Sequence, residues 1–223
     1  MHKLPILAQF VPATLTMAAL LTMAIAAGAE TFQPREGCVH VVTIQSDACY
    51  VRNVVTCPEM GDGLLVYATG KDGKLVATAF DADGATLFTG PQSAGMLVKD
   101  RTDLFSLAAL TTGGTDTYDY TMAARDGAIV RFAGTTTLTG ETVEVDGRSL
   151  LVTLTRQTVT PPNAASVESE ITAYLDPELA LVLTAEARDP ATGKVMLRRT
   201  PVDFLFPGED GVLAAEPRIG CKS

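Results

Sequence analysis

The chain has no tryptophan among its 223 residues, and its aromatic content is low. Sugar binding usually relies on aromatic faces, so saccharide recognition is not favoured. Histidine is nearly absent: beyond the apolar N-terminal stretch only His40 remains. That excludes a multi-histidine metal site within residues 30–223. It also leaves Ser-His-Asp and Cys-His mechanisms without a base unless His40 itself serves. No Gly-x-Ser-x-Gly elbow occurs, and "TTGGTD" at 111–116 has neither the strand-to-helix context nor the lysine of a phosphate loop. There is no basic run of five or more, and the net charge is −9. An acidic surface argues against nucleic acid and against anionic lipid headgroups. The expectation is a chain with no catalytic residues, no metal and no cofactor.

Residues 1–29 carry His2 and Lys3, then a long apolar run that ends in Ala27-Gly28-Ala29. Small-x-small after an apolar stretch suits a signal peptidase. Cleavage after Ala29 would leave residues 30–223 as a single exported, periplasmic or secreted domain with no membrane span, net charge −10 once Lys3 is removed. A retained anchor is the rival, since about 20 apolar residues can cross a bilayer. Arg35-Glu36-Gly37 before the first cysteine is too charged for a lipidation site.

The four cysteines, Cys38, Cys49, Cys57 and Cys221, read as two disulfides in an oxidising compartment. Three pairings are open. "VHVVTIQ" and "CYVRNVV" resemble hairpin strands turning at Ser46-Asp47-Ala48, which favours Cys38–Cys57 and leaves Cys49–Cys221 to tie down the C-terminal tail. The spacings lack the close Cys-x2–4-Cys pair of a zinc site.

Asp-Gly occurs six times, at 62, 72, 83, 126, 146 and 210. Short β-rich segments such as "LLVYAT" and "KLVATAFD" flank these pairs, so they read as hairpin corners. Asp81-Ala82-Asp83-Gly84 begins like a calcium loop, but "ATLFTG" continues it without ligands. Alternation is clearest later. Leu150, Val152 and Leu154 share one face, and Leu151, Thr153, Thr155 and Gln157 the other. Leu181, Leu183, Ala185 and Ala187 oppose Val182, Thr184 and Glu186. "GGTDTYDYTM" places Asp116, Tyr118, Tyr120 and Met122 on one face and Asp119 on the other. One segment, 99–110, has helical spacing, with Thr102 or Asp100 as its cap. The expected fold is all-β, a single antiparallel meander of roughly 9–12 strands, forming a curved sheet, open barrel or sandwich with one short helix.

Gly140, Val143, Val145, Gly147 and Arg148, followed by Tyr174, Pro177 and Leu179, resemble a strand-pair motif of exported proteobacterial β-meander proteins of unknown function. The resemblance covers a third of the chain at most and implies a fold, not an activity. The architecture is also similar to that of envelope lipoprotein carriers, whose curved sheet wraps an apolar cavity. Strands apolar on both faces suggest one face in the core and one lining something. The leading expectation is therefore a non-enzymatic carrier of an apolar or amphiphilic ligand, lined by Tyr118, Tyr120, Phe132 and Leu154. The alternative is an envelope scaffold or interaction module pairing through sheet edges. A cavity discriminates the two.

Overall fold

The computed structural model describes residues 31–91 and 95–221; the expected signal peptide, residues 1–29, lies outside them. Thirteen strands follow one another in a single antiparallel sheet. They are β1 (Val39–Ser46), β2 (Tyr50–Thr56), β3 (Leu64–Gly70), β4 (Leu75–Phe80), β5 (Thr86–Gly90), β6 (Met96–Val98) and β7 (Thr115–Ala124). The second half comprises β8 (Ile129–Val145), β9 (Arg148–Thr160), β10 (Val167–Asp176), β11 (Leu181–Arg188), β12 (Val195–Arg198) and β13 (Pro201–Leu205). Each of β1 to β12 pairs with its neighbour in sequence, and β13 returns to pair with β1. The strand count exceeds the expected range by one because β6 and β12 are too short to show a period.

The corners follow from turn chemistry. At Asp146-Gly147 both residues have positive φ, 49° and 73°. That is the backbone of a two-residue hairpin turn, and it joins the paired residues Val145 and Arg148. Asp81 accepts from the amides of Asp83 and Ala85 at 3.0 and 2.9 Å, so this carboxylate shapes a turn.

The sheet curls until its two ends touch. Val42, Ile44, Val54 and Val66 from β1–β3 pack with Leu150, Leu181, Leu183 and Phe204 from β9, β11 and β13. Leucine-sized side chains buried this way stabilise the fold by about 1.5–3 kcal/mol each. The edge strands are consecutive in the chain, separated by Arg199 and Thr200. The Arg199 amide still donates to Ala185 of β11, while the Thr200 carbonyl already accepts from Asp47 beside β1. Pro201, which has no amide hydrogen to give, begins the last strand. The segment passes from one end of the sheet to the other, and β12 and β13 do not pair with each other, so the sheet is not a closed barrel.

Of the residues Gly140, Val143, Val145, Gly147, Arg148, Tyr174, Pro177 and Leu179, the two glycines and Pro177 are exposed. Val143, Val145, Tyr174 and Leu179 pack against the main core. Arg148 Nε and Nη2 donate to the Asp176 carboxylate at 2.6 and 2.9 Å, and Nη2 also donates to Glu178 at 2.9 Å.

Both expected disulfides are present, Cys38–Cys57 and Cys49–Cys221. The second holds the C-terminal tail across the face of β1 and β2 that carries Thr43, Gln45 and Asn53, all buried. The Leu213 and Arg218 amides donate to Thr43 Oγ1 and Gln45 Oε1, and Asn53 Nδ2 donates to the Ala214 carbonyl. Two disulfides fit an oxidising environment. Among the described residues no helix is long and apolar enough to cross a membrane.

The helix begins later than expected. It spans Leu107–Gly113, with Ser106 as its cap, the hydroxyl accepting from Ala109 N. Asp100 instead accepts from the amide and hydroxyl of Thr102 in a local turn. Leu104 and Phe105 leave helical register to pack on Tyr118, Tyr120 and Met122. Tertiary packing thus overrides the local cap signal.

Candidate functional site

Alternation along β7 buries Asp116, Tyr118, Tyr120 and Met122 and leaves Thr115 and Thr117 exposed. Antiparallel partners share a face. Thr136 and Thr155 therefore lie in the row of Asp116, and Gly134 and Gln157 in the row of Tyr118. Both rows are tied by side chains. Thr136 and Thr155 hydroxyls are 2.8 Å apart, and Gln157 Nε2 donates to Tyr118 Oη at 2.9 Å. Gly134 is required where it stands. A Cβ there would lie 2.7 Å from Tyr118 Oη and 2.8 Å from the Arg156 carbonyl oxygen, so the bare backbone lets the tyrosine lie across the sheet.

These rows form one wall of a cleft of about 260 Å3. Phe80, Thr86 and Phe105 contribute from β4, β5 and the segment before the helix, and Ile171, Ala173, Val182 and Thr184 from β10 and β11. Aromatic and aliphatic carbon alternates with hydroxyl and amide, and no carboxylate, lysine or arginine lines the space. Burial pushes the Tyr118 phenol up despite its bond from Gln157. Burial raises Tyr120 further, so both stay neutral hydrogen-bonding groups. Asp116, just outside the lining, is also raised, chiefly by burial, although Ser106 N donates to it.

Of the four residues expected to line a cavity, Tyr118 and Tyr120 do so. Phe132 is on the same face, paired with Tyr120 and stacked on it at 5.5 Å between ring centroids, but it is not part of the lining. Leu154 is placed elsewhere: it pairs with Thr137 and Thr172, on the face opposite Thr155. The polar partners Thr136, Thr155, Gln157 and Thr184 were missed. Thr155 and Gln157 were legible as one face of β9; what the pattern did not reveal is that the threonine face meets the space.

A larger depression, about 750 Å3, lies over Thr117, Asp119, Thr135, Arg156 and Glu170. Of the charges along it, Asp119 pairs with Arg131 and Arg156 with Glu170, as on an ordinary solvated face. Among the described residues one group of metal-ligand types gathers, Cys38, Cys57 and Glu59. Its sulfurs are bonded to each other and offer no thiolate. His40, the one candidate base, has burial lowering its pKa. Its Nε2 lies 2.9 Å from Thr43 Oγ1, and that buried hydroxyl donates to Asn53 beneath the tail.

No protein-family model, curated protein or solved structure matches the chain.

Proposed function

We propose that this is an exported, non-enzymatic binding protein that holds one small amphiphilic molecule in the cleft between Tyr118, Phe105 and Val182. The observation that carries the reading is the composition of that cleft: apolar walls crossed by a stripe of threonine and glutamine, with no ion pair to fill it. Its volume is just below the usual 300–1,000 Å3 of small-molecule pockets, which favours a single short-chain or monocyclic ligand over a two-chain lipid. The buried Thr43 hydroxyl and the half-buried His40 give no accessible nucleophile–base pair, which favours carriage over catalysis. The two disulfides support a periplasmic or secreted location, reached through cleavage of residues 1–29, with Glu30 as the mature N-terminus. The resemblance to exported β-meander proteins agrees with that placement.

Native mass spectrometry of protein purified from its own compartment tests this. The expected spectrum contains a second population heavier by one molecule of a few hundred daltons or less. A single apo mass, unchanged by added amphiphiles, would remove the carrier reading.

One observation favours a second reading, an envelope interaction module. The edge strands expose Val195, Met196 and Val202 at 44%, 47% and 37%, and unpaired edges invite strand addition. Concentration-dependent self-association, or capture of an envelope protein that is lost on Met196→Lys, would support it.

A further inference from the structure

Phe132 shows what packing alone asks of the aromatic row. It stacks on Tyr120 with 14° between the planes, and it carries no polar atom. A phenylalanine in place of Tyr120 would make the same ring contacts. The tyrosine adds one oxygen, and that oxygen is unserved. Tyr120 is only 9% exposed, yet among the described residues its hydroxyl has no hydrogen-bond partner. A buried hydroxyl left unpaired is unfavourable. The other polar groups of the cleft are placed differently. Tyr118 Oη accepts from Gln157 Nε2, and the Thr136 and Thr155 hydroxyls bond each other. Thr86 and Thr184 are half-buried, so solvent can serve them. Nor is Tyr120 Oη sealed in. Among the described residues, the one fully enclosed side-chain polar atom without a partner is Gln45 Nε2. The phenol oxygen therefore borders open space, and the open space that Tyr120 lines is the cleft.

We infer that Tyr120 is the hydrogen-bond donor of the cleft and that the ligand is a small uncharged carbonyl compound, its oxygen on the Tyr120 hydroxyl and its hydrocarbon toward Ile171, Ala173 and Val182. This rests on the cleft reading above. Burial keeps the phenol protonated, so it has a proton to offer. No lysine or arginine lines the space, so a carboxylate would be buried there without a counter-charge. A ligand hydroxyl would bring a donor of its own to satisfy, whereas a carbonyl brings only an acceptor. The apolar end follows from the order of the strands. The tyrosines stand on β7, the bonded threonine pair on β8 and β9, and Ile171, Ala173 and Val182 on β10 and β11. With about 30 Å3 for each non-hydrogen atom, the share of a water in the liquid, the 260 Å3 cleft holds roughly nine, the size of octan-2-one.

The test is titration of the oxidised exported protein with octan-2-one labelled with 13C at its carbonyl. The methyl resonances of Ile171 and Val182 report occupancy, and the infrared band of the bound ketone reports its hydrogen bond. The band should lie below its position in hexane and move back toward it in Tyr120→Phe. That variant should bind the ketone about three- to tenfold more weakly, as the loss of one neutral hydrogen bond gives. If the ketone shifts the methyls but its band lies at the hexane position, or Tyr120→Phe leaves the band or the affinity unchanged, Tyr120 only packs. The inference is then overturned, although the cleft reading survives. If no methyl shift saturates, both fall. Should Tyr120→Phe fail to fold, the Tyr120 Cζ resonance of the unaltered protein decides. A shift with octan-2-one and not with n-octane supports the inference, and a shift with both or neither overturns it.

Discussion

Replacing Arg148 with methionine should destabilise the fold more than any change at an exposed ion pair. Asp176 is 1% exposed as a side chain and Arg148 17%. The pair is joined by two charge-assisted bonds, and Arg148 also lies over the Phe204 and Phe206 rings at 5.7 and 5.2 Å. Methionine keeps most of the packing against those rings but strands the carboxylate. Asp176 would keep its bonds from the Glu178 and Leu179 amides, without a counter-charge. Breaking a buried pair in this way costs about 3–5 kcal/mol. The bond to Glu178, whose side chain is 79% exposed, adds little. Urea unfolding followed by circular dichroism reads the change. With a slope of about 2 kcal/mol/M, the midpoint should fall by roughly 1.5–2.5 M at unchanged slope. Asp176→Asn in the methionine background removes the stranded charge, so the double variant should be more stable than the sum of the single changes predicts, by about 2 kcal/mol. A loss below about 1 kcal/mol for Arg148→Met, or strict additivity, would refute the claim that this clasp closes the β8–β9 turn onto β10 and β13.

Three further outcomes are expected. Denatured protein should titrate with no free thiol; replacing both Cys49 and Cys221 by alanine should cost about 2–4 kcal/mol in thermal or urea melts, less than the roughly 5 that chain entropy gives for a loop closed across 172 residues. Gly134→Ala should lose about 1–3 kcal/mol, because the new methyl meets both the Tyr118 ring and the Arg156 carbonyl, and Tyr118 fluorescence should report the displaced ring. Asp116→Asn should stabilise the protein at pH 7. Burial raises the folded-state pKa of Asp116, so the stability linked to its proton is present below the unfolded value of about 3.9 and lost as pH rises through the higher folded one. The gain should therefore vanish in melts near pH 3 and grow toward neutrality; a gain independent of pH would contradict it.

Much of the architecture was legible because turn chemistry and period-two patterning are local. Asp146-Gly147 announces its own turn, and the alternation Leu181, Leu183, Ala185, Ala187 survives as a buried row. The cysteine pairing followed from one hairpin, since folding 38–46 on 50–56 brings Cys38 to Cys57. What failed was whatever depended on distant partners. Thr102 and Asp100 carry a good cap signal, yet Leu104 and Phe105 are drawn to Tyr118, and the helix waits for Ser106. Leu154 reads as the apolar side of β9, which points to a ligand-facing position. The cleft instead meets the side of Thr155 and Gln157, because Tyr118 and Thr136 on the neighbouring strands satisfy their polar atoms. Arg52 in "YVRNVV" looks like an ordinary outward charge. Only the curl of the sheet, which brings Thr184 to it from 132 residues away, makes it a buried cation.

The central claim is that the cleft receives a small amphiphile, and a methyl-labelled NMR titration with octan-1-ol tests it most directly. The account predicts saturable shifts for the methyl groups of Ile171, Val182 and Thr184, with Leu154 unmoved on the opposite face. Shifts confined to Val195, Met196 and Val202 at the sheet edge, or no saturable shift at the cleft, would contradict it.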